Sequence, residues 1–322
     1  MKKIFTAVAA IALVALGAAS HAQEYPARQV RVLLPWLDGF PANSARLYTE
    51  ELSKRYQRTF VGEVKSGAGG EVAGRQAAQS VADGYTLLAT GSSITTRAAI
   101  DEKNVDGERD LQPIAQLTTT PYVLVANVGS FGSFENFLAK ARAEPGKINF
   151  ASAGVGTGMH FLGELLNANA GIDITHIPYP TGSRQLQAVF AGDVDIAIIS
   201  LVTALPHIRA GKLEALVLST SERSKVAPQI PTLWEFGFKS IPSMSAWIAL
   251  FGPKNLDPAA LASLSEKISE IANDPAVIQT VQSWGAELPD TRTEALRALV
   301  RSEKAAWVAL IKERGLNVST GQ

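Results

Sequence analysis

Chemistry in this chain concentrates where short β-type runs meet turns rich in glycine and hydroxyl residues. The fullest example spans residues 149–164, Asn149-Phe-Ala-Ser-Ala-Gly-Val-Gly-Thr-Gly-Met-His-Phe-Leu-Gly-Glu164. A strand-like start at 148–151 leads through Ser152, Gly154, Gly156, Thr157 and Gly158 into a helical pattern carried by Phe161, Leu162, Leu165 and Leu166. Strand, glycine turn and helix together aim unpaired backbone N–H groups and the positive end of a helix dipole at one point. Glycines let a guest approach the backbone, and the Ser and Thr hydroxyls add donors. The chemistry on offer is the binding of an anion, a carboxylate or a phosphate.

Catalytic arrangements were sought in the same way. His160 and Glu164 stand four apart on one helix face, but two ligands without a third make no metal site. No Gly-x-Ser-x-Gly elbow occurs. Gly154-Val-Gly-Thr-Gly158 lacks the spacing of a dinucleotide fingerprint, and neither Gly146-Lys147 nor Gly211-Lys212 continues into Ser or Thr as a phosphate loop requires. His176 and His207 read as structural residues. Trp284 and Trp307, on tail helices, read as core. Trp36 follows a strand directly and suits a cleft as well as a core.

The elements that must position these residues alternate. Strand-like runs at 30–34, 60–64 and 85–90 are separated by helical patterns, which is a βαβαβ series of a doubly wound sheet. Runs at 111–118 and 122–127 flank Thr119-Thr120-Pro121, and the second is expected to cross into another lobe. A second α/β series follows, with helices at 134–143, 183–191 and 204–210 and strands at 174–178, 194–200 and 213–220. A last strand is expected at 247–251, then three helices. Asn43 or Ser44 is expected to cap the first helix, and Gly171, Gly192 and Gly211 to close later ones. Five strand-to-helix junctions carry small polar residues: 36–44, 91–95, 152–160, 179–183 and 200–203. In open parallel sheets a ligand sits outside the carboxyl ends of the strands. Two such sheets predict a cleft lined from both sides by helix N-termini.

Lys2 and Lys3 precede an uncharged apolar run at 4–18, and Ser20-His21-Ala22 ends it with small residues at the critical positions. The pattern is that of a signal peptide, residues 1–22, cleaved on export. The chain has no cysteine, so it folds without disulfides, and with the export signal this points to a bacterial periplasm. Removing the two N-terminal lysines leaves 28 basic against 30 acidic residues, with no basic surplus for nucleic acid or an anionic membrane. The roughly 300 remaining residues exceed one ordinary α/β domain, so two lobes are expected.

The chain resembles the substrate-binding proteins of tripartite tricarboxylate transporters, the Bug family of periplasmic receptors, over nearly all its mature length. The resemblance lies in Tyr25-Pro26 with Val30-Arg-Val-Leu-Leu-Pro35, in Ser66-Gly-Ala-Gly-Gly70 and in Ala82-Asp-Gly-Tyr-Thr-Leu-Leu88. It continues through Glu144-Pro-Gly-Lys-Ile-Asn-Phe-Ala-Ser-Ala-Gly154, His160 with Gly163-Glu164, His176-Ile-Pro-Tyr179 and Gly192-Asp-Val-Asp195. Ala204-Leu-Pro-His-Ile-Arg-Ala-Gly-Lys212 and Pro228-Gln-Ile-Pro-Thr232 complete the set. It implies an α/β, two-lobed type II periplasmic binding fold, each lobe a doubly wound sheet flanked by helices. Residues 23–127 with 222–322 would form one lobe and 128–221 the other. It also implies a monomeric receptor, not an enzyme, that needs no cofactor or metal. Such a receptor captures a small organic acid and delivers it to the membrane permease subunits of a tripartite tricarboxylate transporter.

Carried over by position, the family's binding residues fall on Trp36, Leu37, Ser92, Ser93, Ser152, Thr157 and His160, with Tyr179 and Ser183 as further contacts. One departure stands out. The family's Pro-Gly-Gly turn before an Asp reads here Pro35-Trp-Leu-Asp-Gly-Phe-Pro-Ala-Asn43, with Phe40 in place of a glycine. The added aromatic bulk predicts a flatter or more apolar guest than citrate. Two other readings remain open: a ligand-sensing module for a membrane kinase, and a secreted enzyme acting on a carboxylate with His160 as general base.

Overall fold

The computed structural model describes residues 25–37, 39–179 and 181–314. The expected signal peptide, residues 1–22, lies outside the described residues. Among those described, no helix is long and apolar enough to cross a membrane.

The first unit is built as the alternation predicts. Strands β1 (Val30–Leu34), β2 (Phe60–Val64) and β3 (Thr86–Gly91) pair in parallel with β1 in the middle. Helices α1 (Gly39–Tyr56), α2 (Glu71–Ala78) and α3 (Ser93–Ile100) follow each strand in turn. Strand β1 buries four of its five residues, as a strand covered by helices on both faces must.

Strand β4 (Leu111–Asn127) then runs without interruption for 17 residues. The expectation of two runs broken at Thr119-Thr120-Pro121 is corrected here. Pro121 has no N–H to give, yet it pairs in register with Ser245, and Thr119 and Thr120 pair with Trp247 and Ala246. The first part of β4 lies antiparallel to β9 (Ser245–Pro253), which in turn pairs with β3. The last part lies between β7 (Ile196–Ser200) and β8 (Leu213–Leu218). Strands β5 (Asn149–Ser152) and β6 (Thr175–Pro178) extend the second unit in parallel with β7. The whole is one sheet of nine strands, β2-β1-β3-β9-β4-β7-β5-β6, with β8 also on β4. This is the curled, two-lobed α/β architecture of periplasmic binding proteins, with β4 as the shared strand.

Helices α4 (Phe134–Ala143), α5 (Gly158–Ala170), α6 (Gly182–Ala191) and α7 (Leu201–Arg209) dress the second unit. Gly171 and Gly192 take the left-handed conformation just past α5 and α6, as expected. Two other expectations need correction. Helix α1 begins at Gly39, where φ is +81°, rather than after Asn43 or Ser44, and Phe40 already lies within it. Ser44 is buried and accepts a hydrogen bond from Thr118. Helix α7 begins at Leu201, immediately after β7, rather than at Ala204.

The tail folds as α8 (Pro258–Ala272), α9 (Pro275–Ser283) and α10 (Thr293–Arg314). Asp257 and Asp274 cap the first two, each ahead of a Pro at the first helical position. Helix α10 reaches from one core to the other. Leu296 and Val300 pack with Trp247 and Phe251, whereas Trp307 and Leu310 pack with Phe161 and Phe134. The indole of Trp307 stacks on Phe161 with centroids 4.5 Å apart.

Candidate functional site

The carboxyl ends of β1, β3 and β5 face a common cavity of about 190 Å³ beside the middle of β4 and β9. Helix α1 brings Phe40 and Pro41 to it, next to Trp36. The β3–α3 junction brings Gly91, Ser92, Ser93 and Thr96. The β5–α5 turn brings Ala153, Thr157, Gly158 and Met159. Tyr122 of β4 and Ala246, Trp247 and Ile248 of β9 complete the wall.

Local sequence explains each rim. Thr157 caps α5 by accepting the His160 N–H at 3.3 Å, and its own hydroxyl donates to the Gly154 carbonyl at 2.8 Å. The N–H groups of Gly158 and Met159, in the first turn, have no intrahelical partner and sit at the cavity wall. In α3 the Ser92 carbonyl accepts from the Thr95 and Thr96 N–H groups, which leaves the first-turn amide of Ser93 at the wall. Two glycines are required by contact. A Cβ on Gly158 would lie 2.7 Å from the Tyr122 hydroxyl, and one on Gly91 would lie 2.8 Å from the Trp247 carbonyl. Those glycines let β4 and β9 come right up to the helix starts.

Among the described residues no Lys, Arg, Asp, Glu or His lines the cavity. Positive potential there comes from helix N-termini, and directional donors come from amides and hydroxyls. The phenol of Tyr122 stays neutral, since burial pushes it well above its usual pKa, and it hydrogen-bonds Ser92. Such a site can hold a carboxylate without a formal cation. The apolar body of the guest would lie against Trp36, Phe40, Met159 and Ile248.

Of the nine residues the sequence singled out, Trp36, Ser92, Ser93 and Thr157 meet in this cavity. The other five do not line it. Leu37 is 66% exposed, and its carbonyl accepts from Arg46. Ser152 is fully buried, with its hydroxyl 2.6 Å from Nε2 of His176 and accepting from the Gly154 N–H at 3.1 Å. His160 is 8% exposed, and its Nδ1 accepts from the Gly156 N–H at 3.2 Å. That bond places any single ring proton on Nε2, which faces Glu164 at 3.8 Å. The rings of His160 and His176 lie 4.2 Å apart. Burial lowers the pKa of His160, and burial with the neighbouring His160 lowers His176 to about 4, so both are neutral at pH 7. Tyr179 packs beside Ile177, its N–H on the Ser152 carbonyl, and Ser183 is exposed. Of the five junctions expected to converge, three do.

Sequence reasoning missed Tyr122, Trp247 and Ile248. All three lie inside strands, where an aromatic or β-branched residue reads as core. Phe40 was visible as an oddity of its turn. Among the described residues no group of three His, Asp, Glu or Cys could hold a metal ion.

A model of the family described as the tripartite tricarboxylate transporter family receptor matches residues 44–316. The protein BugT of Bordetella pertussis is 31% identical over 313 residues, 95% of this chain and 95% of its own. A solved structure described as a periplasmic transporter superposes with a TM-score of 0.80 at 26% identity, covering 92% of this chain and all of the other. The structure of MatC from Rhodopseudomonas palustris with bound malate superposes with a TM-score of 0.75 at 29% identity, over 89% of this chain and all of MatC.

Proposed function

The chain belongs to the tripartite tricarboxylate transporter receptor family, and from that premise we propose that its cavity captures a small organic carboxylate in the periplasm. In this reading the described residues of 23–127 and 222–322 make one lobe and those of 128–221 the other, with β4 and α10 spanning both. Closure of the lobes on the acid makes the form that the membrane permease reads. The observation that carries this reading is the convergence of three helix N-termini, with the hydroxyls of Ser92 and Ser93, on a cavity lined by no charged side chain among the described residues.

Trp36, Ser92, Ser93 and Thr157 are the contacts we assign to the ligand from the sequence set, together with Tyr122 and the Gly158 and Met159 amides. The other five residues act at a distance. His160, the base an enzyme would need, has Nδ1 occupied and lies outside the cavity, which favours a receptor over a catalyst. A volume of about 190 Å³ is below the roughly 300–1,000 Å³ of drug-sized pockets, which suits an acid of few carbons. Trp36 and Phe40 favour a guest with a flat or apolar body over citrate.

Calorimetric titration with malate, succinate, citrate and benzoate tests the assignment. Saturable binding of at least one, weakened at least tenfold in Thr157→Ala or Ser92→Ala, is the expected result. Titrations that stay flat across the panel, or binding indifferent to both substitutions, would refute it.

A further inference from the structure

Directly behind the cavity lies a carboxyl group that the binding site does not use. Glu303, on α10, receives the indole N–H of Trp247, which is 3.0 Å from both of its oxygens. Its Oε2 also lies 3.0 Å from the Thr95 hydroxyl. That hydroxyl is 2.7 Å from the carbonyl oxygen of Ser92. Ser92 and Trp247 both line the cavity, so Glu303 meets the back of its wall directly at Trp247 and, through Thr95, at Ser92.

A threonine hydroxyl carries one proton, and a carbonyl oxygen can only accept. With the proton on the shorter contact, to Ser92, the Thr95 oxygen is left as an acceptor. The 3.0 Å contact to Glu303 is then a hydrogen bond only when the carboxyl group supplies the donor. An ionised Glu303 would face Thr95 with two acceptors competing for one proton. A protonated Glu303 lets donation run from its carboxyl through Thr95 to the Ser92 carbonyl, with Trp247 donating to the carboxyl from the other side.

Among the described residues no Lys, Arg or His is paired with Glu303. Strand β9 carries no ionisable residue, and the one on β4 is Tyr122. On α3 the one charged residue, Arg97, is bound to Asn104. On α10 itself Lys304 pairs with Asp106, Arg301 with Glu108 and Arg297 with Glu294.

We propose that Glu303 is a positioning residue held protonated behind the cleft, and that capture of a carboxylate is linked to this proton. Ionising it sets a negative charge against the first turn of α3, the turn whose amide and hydroxyls face an anionic guest, and opposes that guest. The proposal rests on the carboxylate-receptor reading given above. Burial supports it independently, pushing the Glu303 carboxyl up to about 7.

Glu303→Gln is the informative variant, because a carboxamide reproduces the neutral acid, with one acceptor for Trp247 and one donor for Thr95. Two readouts are needed. Infrared difference spectra of ligand-free protein between about pH 6 and about pH 9 should show a neutral carboxyl band, lost at the higher pH and missing in Glu303→Gln. Malate, fully ionised over this range because ordinary carboxylic acids titrate near pH 4, should bind the wild type roughly tenfold more weakly at the higher pH, within the range of coupled sites. Its affinity for Glu303→Gln should stay level.

Parallel pH profiles in the two proteins, or no band that disappears with Glu303, would overturn the proposal. A neutral band at Glu303 with no binding of malate, succinate, citrate or benzoate at any pH would instead sink the receptor reading, and the linkage with it, while leaving the protonated side chain standing. If Glu303→Gln fails to fold, Thr95→Val serves in its place. Removing the proton's acceptor should shift the carboxyl band, and an unmoved band contradicts the donation to Thr95.

Discussion

Ser92 shows how much one residue can be asked to do at this site. Its hydroxyl meets Tyr122, its carbonyl holds Thr95, and it stands at the start of α3 on the cavity wall. It was legible in the sequence because a small polar residue between a β-type run and a helical pattern has few other uses. Trp36 and Thr157 were legible for the same reason. Ser152 has the same residue type and setting, yet β5 directs it inward to His176 on the neighbouring strand β6. A serine one residue earlier or later on a strand faces the other side, and the turn pattern alone does not say which.

The half-buried His176 and Glu303 make opposed predictions for acid. His176 is lowered from 6.5 to about 4, so the unfolded chain binds more protons between those values and stability falls as pH drops through them. Glu303 is raised from 4.5 to about 7, so the folded chain binds more protons in that window and stability falls as pH rises through it. Between about pH 6.5 and about pH 4.5 the two offset one another. Thermal melts should therefore change little with pH there in the wild type. Glu303→Gln should melt lower as the pH drops, and His176→Gln should melt higher relative to wild type at the acid end. Tilts of the opposite sign would show that these groups do not titrate as their surroundings imply.

At the scale of the element, caps and long strands decide the geometry. Thr157→Ala removes the side-chain cap of α5 and should cost about 1 kcal/mol of stability in urea unfolding, beside its effect on ligand affinity. Gly163→Ala should cost more, since the new Cβ would lie 2.2 Å from the Phe150 ring inside a packed core. A ranking with Thr157→Ala as the more damaging change would contradict this packing. Most helices and parallel strands were legible from periodicity and glycine punctuation. The continuity of β4 was not. Thr119-Thr120-Pro121 reads locally as a turn, and only pairing with β9, more than a hundred residues away, keeps it extended. The starts of α1 and α7 were displaced for a related reason: tertiary contacts, such as Ser44 with Thr118, used up residues that local chemistry would have spent on caps.

At the scale of the molecule, the two units share β4 and are bridged by α10. Trp307 anchors the far end of α10 against Phe161, and its indole N–H has no partner among the described residues, so its contribution is one of packing. Trp307→Ala should cost about 3–5 kcal/mol, whereas Trp307→Phe, which keeps the stacking, should cost clearly less in the same urea titrations. Equal losses would place its role elsewhere. The two-unit plan was legible from the doubled α/β series, but the bridging helix was not, because an amphipathic tail does not announce which of two cores its apolar face will enter.

The central claim, that facing helix starts cradle a small organic acid, meets its most direct test in tryptophan fluorescence, because Trp36 and Trp247 both stand in the cavity wall. Titrating the protein with malate, succinate and benzoate should give a saturable change for at least one acid, reduced in amplitude by Trp36→Phe and shifted to higher concentration by Thr157→Ala. A saturable change that neither substitution alters would place the acid somewhere else on the molecule, and no change with any of the three would contradict the account outright.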